Sequence, residues 1–204
     1  APSGWADFWN IEQFPGTRGL YRDPRTTMEF ALLADGVPKH ELYPLDVGRA
    51  LASLERIRPA LTLFWEQGAQ AAQSLTSGDL TMVSAWHNRI LTIQQDGAQV
   101  GLTWSGGALA GDSWVVPRGA PNRDVAMDFI NFATRPEVCA AFATFAPFGP
   151  VNRRAFDYLP AEISDHLPTA PGPRAQQFVV DHEFWFKHFD AIQPQFEAWL
   201  AQGV

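Results

Sequence analysis

Cysteine is almost absent from this sequence, since Cys139 is the single one among 204 residues. One cysteine excludes an intrachain disulfide and a thiolate metal cluster. It does not exclude an exported protein, because large secreted bacterial domains with adequate cores need no disulfides. Long apolar runs are also lacking: stretches such as 60–65 fall far short of the roughly 20 residues that a membrane span needs. No charged-then-apolar leader opens the sequence, so we expect any signal peptide to have been removed or to lie upstream.

Positively charged residues are fewer than negatively charged ones. Lys and Arg number 15 against 22 Asp and Glu, which gives a formal net charge of −7. A polyphosphate would be repelled by such a chain unless its cations were clustered. Arg153-Arg154 is the only adjacent basic pair, and a solvated loop explains it better than a phosphate site. We therefore expect no nucleic-acid partner, although 46% hydrophobic residues are enough for a substantial core.

Catalytic signatures are missing as well. The sequence has no Gly-x-Ser-x-Gly elbow, Walker loop or Gly-x-Gly-x-x-Gly motif. His182-Glu183 followed by His188 approaches a zinc-protease motif, but its second histidine would have to follow the first by four residues. The spacing favours a surface helix, so we expect neither a metal site nor a cofactor. A hydrolase assembled from distant Ser, His and Asp residues stays the alternative from another functional class.

The order of local patterns indicates an α/β fold. Helices are expected from Asp23-Pro24 to about Gly36 and from Asp46 to Pro59, because each start offers an N-cap side chain. Further helices are expected over 69–75, 88–94, 122–132 and 182–200, and strands over 80–85, 100–104 and 113–117. The helix over 122–132 is expected to pack inward. A proline-rich segment, 148–173, is expected to have little regular structure.

The junction from Ala85 to Arg89 is the first candidate ligand site. It follows a buried strand, and ligands of open α/β sheets gather beyond the carboxyl ends of the strands. Arg89 could bind a carboxylate with two charge-assisted hydrogen bonds, and Trp86 could supply a flat apolar wall. A surface arginine in a salt bridge beside a packed tryptophan is the alternative. Asp112 could hold an ammonium group, or equally cap a turn.

A series of short motifs runs along nearly the whole chain. They are Trp5-Ala6-Asp7-Phe8-Trp9, Phe14-Pro15-Gly16 with Arg18-Gly19-Leu20, residues 77–86, Asp112 with Val115-Val116-Pro117, and residues 119–122, 129–132 and 149–152. In order and spacing the series resembles the periplasmic solute-binding components of ABC importers, in the spermidine, putrescine and γ-aminobutyrate group. That resemblance implies a small-molecule ligand and a membrane permease as partners.

The resemblance also implies an architecture, in which two α/β lobes of the type II periplasmic binding protein kind are joined by a hinge and close over ligand. Residues 1–111 would belong to the second lobe, 112–158 would cross to the first lobe, and 159–204 would return to the second. Family members carry a further stretch of about a hundred residues, by ordinary lobe size, before the segment that matches Trp5. We therefore expect this chain to lack most of the first lobe.

Ligand positions follow from the resemblance only where motifs align. Trp86 matches the tryptophan of an Ala-Trp-Asn-Gly motif that walls the cleft, although His87-Asn88 departs from that motif. Asp112 matches a carboxylate that grips the ligand amine. Asp23 matches one of two acids that hold the far amine of a polyamine, with Thr26 in place of the second acid. Phe148 replaces a tyrosine.

These departures favour a ligand with one carboxylate over a dication. The hypothesis is that Arg89 binds the carboxylate and Asp112 the ammonium of an ω-amino acid such as γ-aminobutyrate, with Trp86 lining the cleft. Putrescine or spermidine is the runner-up, favoured if Asp23 faces the cleft and Arg89 points away. A sugar is less favoured because most tryptophans should be core residues, and ferric ion because the tyrosines include no adjacent pair.

Overall fold

The computed structural model describes residues 1–203 and divides them into two compact units. Unit 1 comprises Ala1–Ala108 together with the chain from Gln176 onwards, and unit 2 comprises Leu109–Ala175. In the described part, no helix is both long and apolar enough to cross a membrane.

A three-stranded parallel sheet forms the centre of unit 1. Its strands are β1 (Arg18–Tyr21), β2 (Leu61–Trp65) and β3 (Met82–Val83), in the order β2-β1-β3. Tyr21 lies opposite Trp65, the last residue of β2. Because all three strands run in the same direction, their carboxyl ends meet at one edge of the sheet.

The helices of the described chain follow in sequence order. The first five are α1 (Trp5–Trp9), α2 (Pro24–Ala34), α3 (Val47–Ile57), α4 (Gly68–Ser77) and α5 (His87–Gln95). Then come α6 (Arg123–Ala133), α7 (Pro136–Phe145), α8 (Ala161–Ser164), α9 (Pro171–Gln176) and the long α10 (His182–Leu200). Two 3₁₀ helices, Arg58–Ala60 and Arg153–Tyr158, complete the helical elements, and a two-stranded sheet pairs β4 (Ala108–Leu109) with β5 (Phe178–Val179).

The apolar core of unit 1 lies among α2, α3, α10 and the sheet. Its members are buried aliphatic and aromatic side chains, among them Leu20, Met28, Leu32, Leu54, Ile57, Trp185 and Phe196. One carboxylate is buried with them: Glu29 of α2 accepts hydrogen bonds from the Tyr43 hydroxyl at 2.5 Å and from Trp185 Nε1 at 2.7 Å. Burial raises the pKa of Glu29, because an ionised carboxylate loses its hydration there.

A buried cation lies in the central strand. Arg18 of β1 is fully buried, and its guanidinium donates to the backbone carbonyls of Phe8 and Gly16, each at 2.9 Å, and of Phe14. These carbonyls replace the water that the charge gives up. The N-terminal segment is thereby tied to the end of β1 opposite the carboxyl edge.

The helix positions predicted for unit 1 are confirmed. Asp23 and Asp46 cap α2 and α3 as expected, and Gly78 ends α4 in the left-handed conformation with φ of 81°. Pro194 was expected to break or kink the last helix, but α10 continues through it. The predicted strand over 80–85 shortens to β3. The proline-rich segment 148–173 is more ordered than expected, because one 3₁₀ helix, α8 and the start of α9 fall within it.

Three predictions were wrong. Residues 100–104 and 113–117 form no strand, since within residues 1–203 no neighbouring strand offers backbone groups to pair with them. Trp114 and Val115 are instead 64% and 79% exposed. The third concerns α6, which buries none of its side chains in the described structure, although Phe129 and Phe132 were expected to pack inward.

Candidate binding site

Three loops converge at the carboxyl edge of the sheet in unit 1. β1 leads through Arg22 and Asp23 into α2, β2 leads through Glu66 and Gln67 into α4, and β3 leads through Ser84–Trp86 into α5. The Ser84 hydroxyl accepts a hydrogen bond from the Tyr21 backbone N–H at 3.1 Å, which ties the third loop to the first. This edge is where open α/β sheets hold their ligands.

Three aromatic rings pack together at this edge, two from the ends of β1 and β2 and one from the loop after β3. Tyr21 stacks on Trp65 at a ring-centroid distance of 4.4 Å, and Trp86 meets both rings edge-on, at 5.9 Å from Tyr21 and 5.4 Å from Trp65. Trp65 is only 1% exposed, whereas Trp86 is 46% exposed. The stacked pair therefore holds Trp86 in place while much of its indole stays open to solvent, as a wall for a flat or aliphatic ligand requires.

Gly68, the first residue of α4, makes this arrangement possible. A Cβ at this position would lie 2.5 Å from Trp86 Cε3 and 3.4 Å from Arg89 Cγ. The first distance is shorter than real Cβ contacts allow, so the indole occupies the space that any larger residue would fill. Trp86 and the aliphatic stem of Arg89 thus lie side by side over the same glycine.

Arg89 lies in the first turn of α5, which begins after Trp86 as N-cap residue. Its backbone N–H donates to the Trp86 carbonyl at 2.9 Å, and its side chain is exposed. Within residues 1–203 its guanidinium forms no ion pair or side-chain hydrogen bond. The side chain is therefore exposed and unpaired, and its binding of an anionic group stays a prediction.

Asp23 lies at the same edge and forms an ion pair with Arg25. Arg25 donates to it from Nε at 2.8 Å, from Nη2 at 2.6 Å and from the backbone N–H at 2.8 Å. The Arg25 guanidinium in turn lies over the Phe189 ring of α10, 4.9 Å from the centroid. Tyr21 is close to both charges: burial raises its pKa, Asp23 raises it further, and Arg25 opposes that increase.

The backbone of this loop is unusual at Thr26. Arg25 has φ −63° and ψ 132°, and Thr26 has φ 70° and ψ −41°, close to the two central positions of a type II turn. The second of these positions normally takes glycine, and a β-branched residue with positive φ is a rare, strained case. The turn folds Arg25 back onto Asp23 before the regular part of α2 begins.

Two predicted site residues belong to unit 2. Asp112 is exposed and lies outside regular secondary structure after β4. Phe148 follows α7, is 43% exposed and stacks on Phe142 with the ring centroids 5.9 Å apart and the planes 11° from parallel. Trp86, Arg89 and Asp23 are thus brought together at one sheet edge of unit 1, and the ligand contacts of Asp112 and Phe148 stay predictions.

Sequence reasoning missed four residues of this edge: Tyr21, Trp65, Arg25 and Gly68. The apolar run 60–65 was noted, but not its pairing with β1.

Two clefts of unit 1 were also not predicted from the sequence. One, of about 500 Å³, lies between α1 and Ser105-Gly106, and the other, of about 420 Å³, lies between Arg25 and α10. In residues 1–203 no group of His, Cys, Asp or Glu side chains is placed to hold a metal ion.

Comparison with known proteins explains this architecture. A family model described as "Bacterial extracellular solute-binding protein" matches residues 1–169. The γ-aminobutyric acid-binding protein of Pseudomonas aeruginosa is 40% identical over 207 residues, which cover 99% of this chain and 58% of that protein. The spermidine/putrescine-binding periplasmic protein of Escherichia coli is 26% identical over 171 residues, covering 83% of this chain and 48% of that protein.

A solved structure is similar over the whole chain. The structure described as "Atu4243-GABA receptor" superimposes with a TM-score of 0.90 at 35% identity, covering all of this chain and 63% of that one. The prediction of an α/β fold of the periplasmic binding protein kind is therefore confirmed, and the chain spans less than two thirds of the relatives that it matches. The family resemblance is confirmed with it: this chain belongs to the bacterial extracellular solute-binding proteins.

Proposed function

We propose that the full-length protein is the periplasmic solute-binding component of an ABC importer, which captures γ-aminobutyrate and delivers it to a membrane permease. The observation that carries this proposal is the pairing of Trp86 and Arg89 at the carboxyl edge of the sheet. One offers an exposed aromatic face and the other an unpaired cation, both packed over Gly68. The relatives named for γ-aminobutyric acid binding support the same ligand.

Each end of the ligand has a proposed partner. Arg89 binds the carboxylate with charge-assisted hydrogen bonds, Asp112 binds the ammonium, and the methylene chain lies against Trp86, with Phe148 as a further apolar contact. In this proposal residues 1–111 and 159–204 belong to the second lobe and 112–158 cross to the first lobe, so unit 1 holds most of the second lobe and unit 2 contains the crossing segment. The ligand is bound and released unchanged, so the protein is not an enzyme and needs no cofactor.

Isothermal titration calorimetry on the full-length protein tests the role of Arg89. A hydrogen bond to a charged group contributes about 1.5–3 kcal/mol, so Arg89→Ala is expected to weaken γ-aminobutyrate binding roughly tenfold or more. Arg49→Ala is the matched control. Arg49 is also an exposed arginine of unit 1, but it pairs with Asp35 beyond the far end of α2. Unchanged affinity in Arg89→Ala, with the control also unchanged, would refute the assignment.

Polyamine binding is the second candidate function, and the position of Asp23 is the observation that favours it. Asp23 lies at the same sheet edge as Trp86, where a carboxylate could hold a ligand ammonium. Competition between putrescine and γ-aminobutyrate on the full-length protein decides between the two ligands. Displacement of γ-aminobutyrate by equimolar putrescine would favour the polyamine.

A further inference from the structure

The ion pair between Asp23 and Arg25 lies at the sheet edge that also carries Trp86. Arg25 supplies three donors to the two oxygens of Asp23, and the Asp23 side chain is only 13% exposed. A bidentate guanidinium–carboxylate pair is among the stronger charge-assisted contacts in proteins. The negative charge of Asp23 is therefore already neutralised by the chain itself.

Two features hold Arg25 in this position. The Phe189 ring of α10 lies under its guanidinium at 4.9 Å, which favours a cation over an aromatic face. The turn at Arg25 and Thr26 directs the side chain back to Asp23 at the expense of a positive φ at a threonine. Strained backbone of this kind persists where the surrounding structure enforces it and is concentrated at ligand sites.

The pair also lies close to the exposed wall of the site. Tyr21 separates the two: its ring is 5.9 Å from that of Trp86, and its hydroxyl feels the charges of both Asp23 and Arg25. Arg25 is 51% exposed and Arg89 is exposed without an ion pair. Near Trp86 this sheet edge therefore carries an unpaired cation, Arg89, and a carboxylate, Asp23, that is already neutralised by Arg25.

We propose that Arg25 is a specificity-determining residue, which occupies Asp23 as an internal cation and thereby excludes ligands with a second ammonium group. The inference rests on the proposed function, because it explains how a site of this family would take a ligand with one ammonium and one carboxylate. Rejection by an occupied acid is discrimination against the wrong ligand, and it needs no additional contact to the right one.

Calorimetry with putrescine and γ-aminobutyrate on the full-length protein tests this proposal. Arg25→Gln keeps the length of the side chain and removes its charge, so putrescine affinity is expected to rise at least tenfold relative to γ-aminobutyrate affinity. The double variant Asp23→Asn with Arg25→Gln is expected to lose this gain, because the freed carboxylate is then gone. Arg22→Gln is the matched control, because Arg22 pairs with Glu66 at 2.6 Å and with Glu197 at 3.6 Å rather than with Asp23. It should leave the ratio of the two affinities unchanged.

The outcomes separate this proposal from the proposed function. If the wild-type protein binds γ-aminobutyrate but Arg25→Gln gains no putrescine affinity, Arg25 does not set specificity and the proposal is overturned. If the wild-type protein binds no γ-aminobutyrate, the proposed ligand is wrong, and the putrescine affinities of the three variants still decide whether Arg25 blocks Asp23. Thermal melting of each variant shows that it is folded, and Arg25→Lys, which keeps the charge, should still reject putrescine.

Discussion

Replacing Gly68 by alanine tests whether the position of Trp86 matters for binding. The added Cβ would lie 2.5 Å from Trp86 Cε3 and 2.9 Å from Cζ3, whereas ordinary contact begins at 3.4 Å. The indole therefore has to move by roughly 1 Å, the difference between these distances. It cannot move inward, because Trp65 and Tyr21 pack against it at centroid distances of 5.4 and 5.9 Å.

The expected magnitude follows from how overpacked sites respond. An extra methyl group in a well-packed place costs about 1–3 kcal/mol. In the free protein the exposed indole can swing outward and relieve the strain. Ligand binding must then push the indole back, so this cost is expected to reduce affinity, about fivefold for each kcal/mol.

The assay is γ-aminobutyrate titration of the full-length protein, with Gly48→Ala as control. Gly48 also lies in the first turn of a helix, and a Cβ there would meet nothing closer than Asp46 Oδ1 at 3.7 Å. A further variant, Gly68→Ala with Trp86→Phe, gives the new methyl group room and should show non-additive recovery relative to the single variants. If Gly68→Ala binds as tightly as the wild-type protein, the wall formed by Trp86 contributes nothing.

Two further predictions concern the pH dependence of stability in unit 1. Burial raises the pKa of Glu29, so its stabilising contribution is complete below about pH 4.5, the unfolded value, and is lost as pH rises. The melting temperature of Glu29→Gln should therefore rise relative to that of the wild-type protein between pH 4.5 and 7. A difference in melting temperature that stays constant over this range would contradict the prediction. Arg49 lowers the pKa of Asp35 through its hydrogen bond, with Arg56 adding to the effect. Asp35→Asn should destabilise at pH 7 by at most about 1 kcal/mol, since the pair is near the surface. This loss should shrink as pH falls below 3.8, the unfolded value, and through the lowered folded pKa, whereas a loss that does not change with pH would refute the ion pair.

Helix ends were predictable because their signals are local. Asp23 and Asp46 were identified as N-caps from one or two neighbouring residues, and both side chains accept a backbone hydrogen bond, from Arg25 at 2.8 Å and from Arg49 at 2.9 Å. Gly36, which follows α2, was identified on the same basis. A cap needs nothing beyond its own turn, so one sequence is enough to find it.

Strands were less predictable because their partners are distant. β1 was missed since Arg18 interrupts its apolar pattern, and only the backbone carbonyls of Phe8, Phe14 and Gly16 make that charge tolerable in the core. The segment 113–117 was predicted to form a strand on the basis of its apolar residues alone. Apolar content does not supply a neighbouring strand, and the described residues contain none for this segment.

Residues of the candidate site that directly follow a strand could be identified from the sequence. Features of the site that depend on packing between distant residues could not. The location of Trp86 and Arg89 came from their place after β3. The neutralisation of Asp23 did not, because it requires a positive φ at Thr26 and a ring contact from Phe189, far away in the sequence. The need for glycine at position 68 depends likewise on an indole that arrives from another loop.

The most direct test of the central claim is a crystal structure of the full-length protein with γ-aminobutyrate bound. We expect the ligand carboxylate within about 3.2 Å of the Arg89 guanidinium nitrogens, the methylene chain against the exposed face of Trp86, and Arg25 still paired with Asp23. A ligand bound elsewhere, or one whose carboxylate makes no contact with Arg89, would contradict the account.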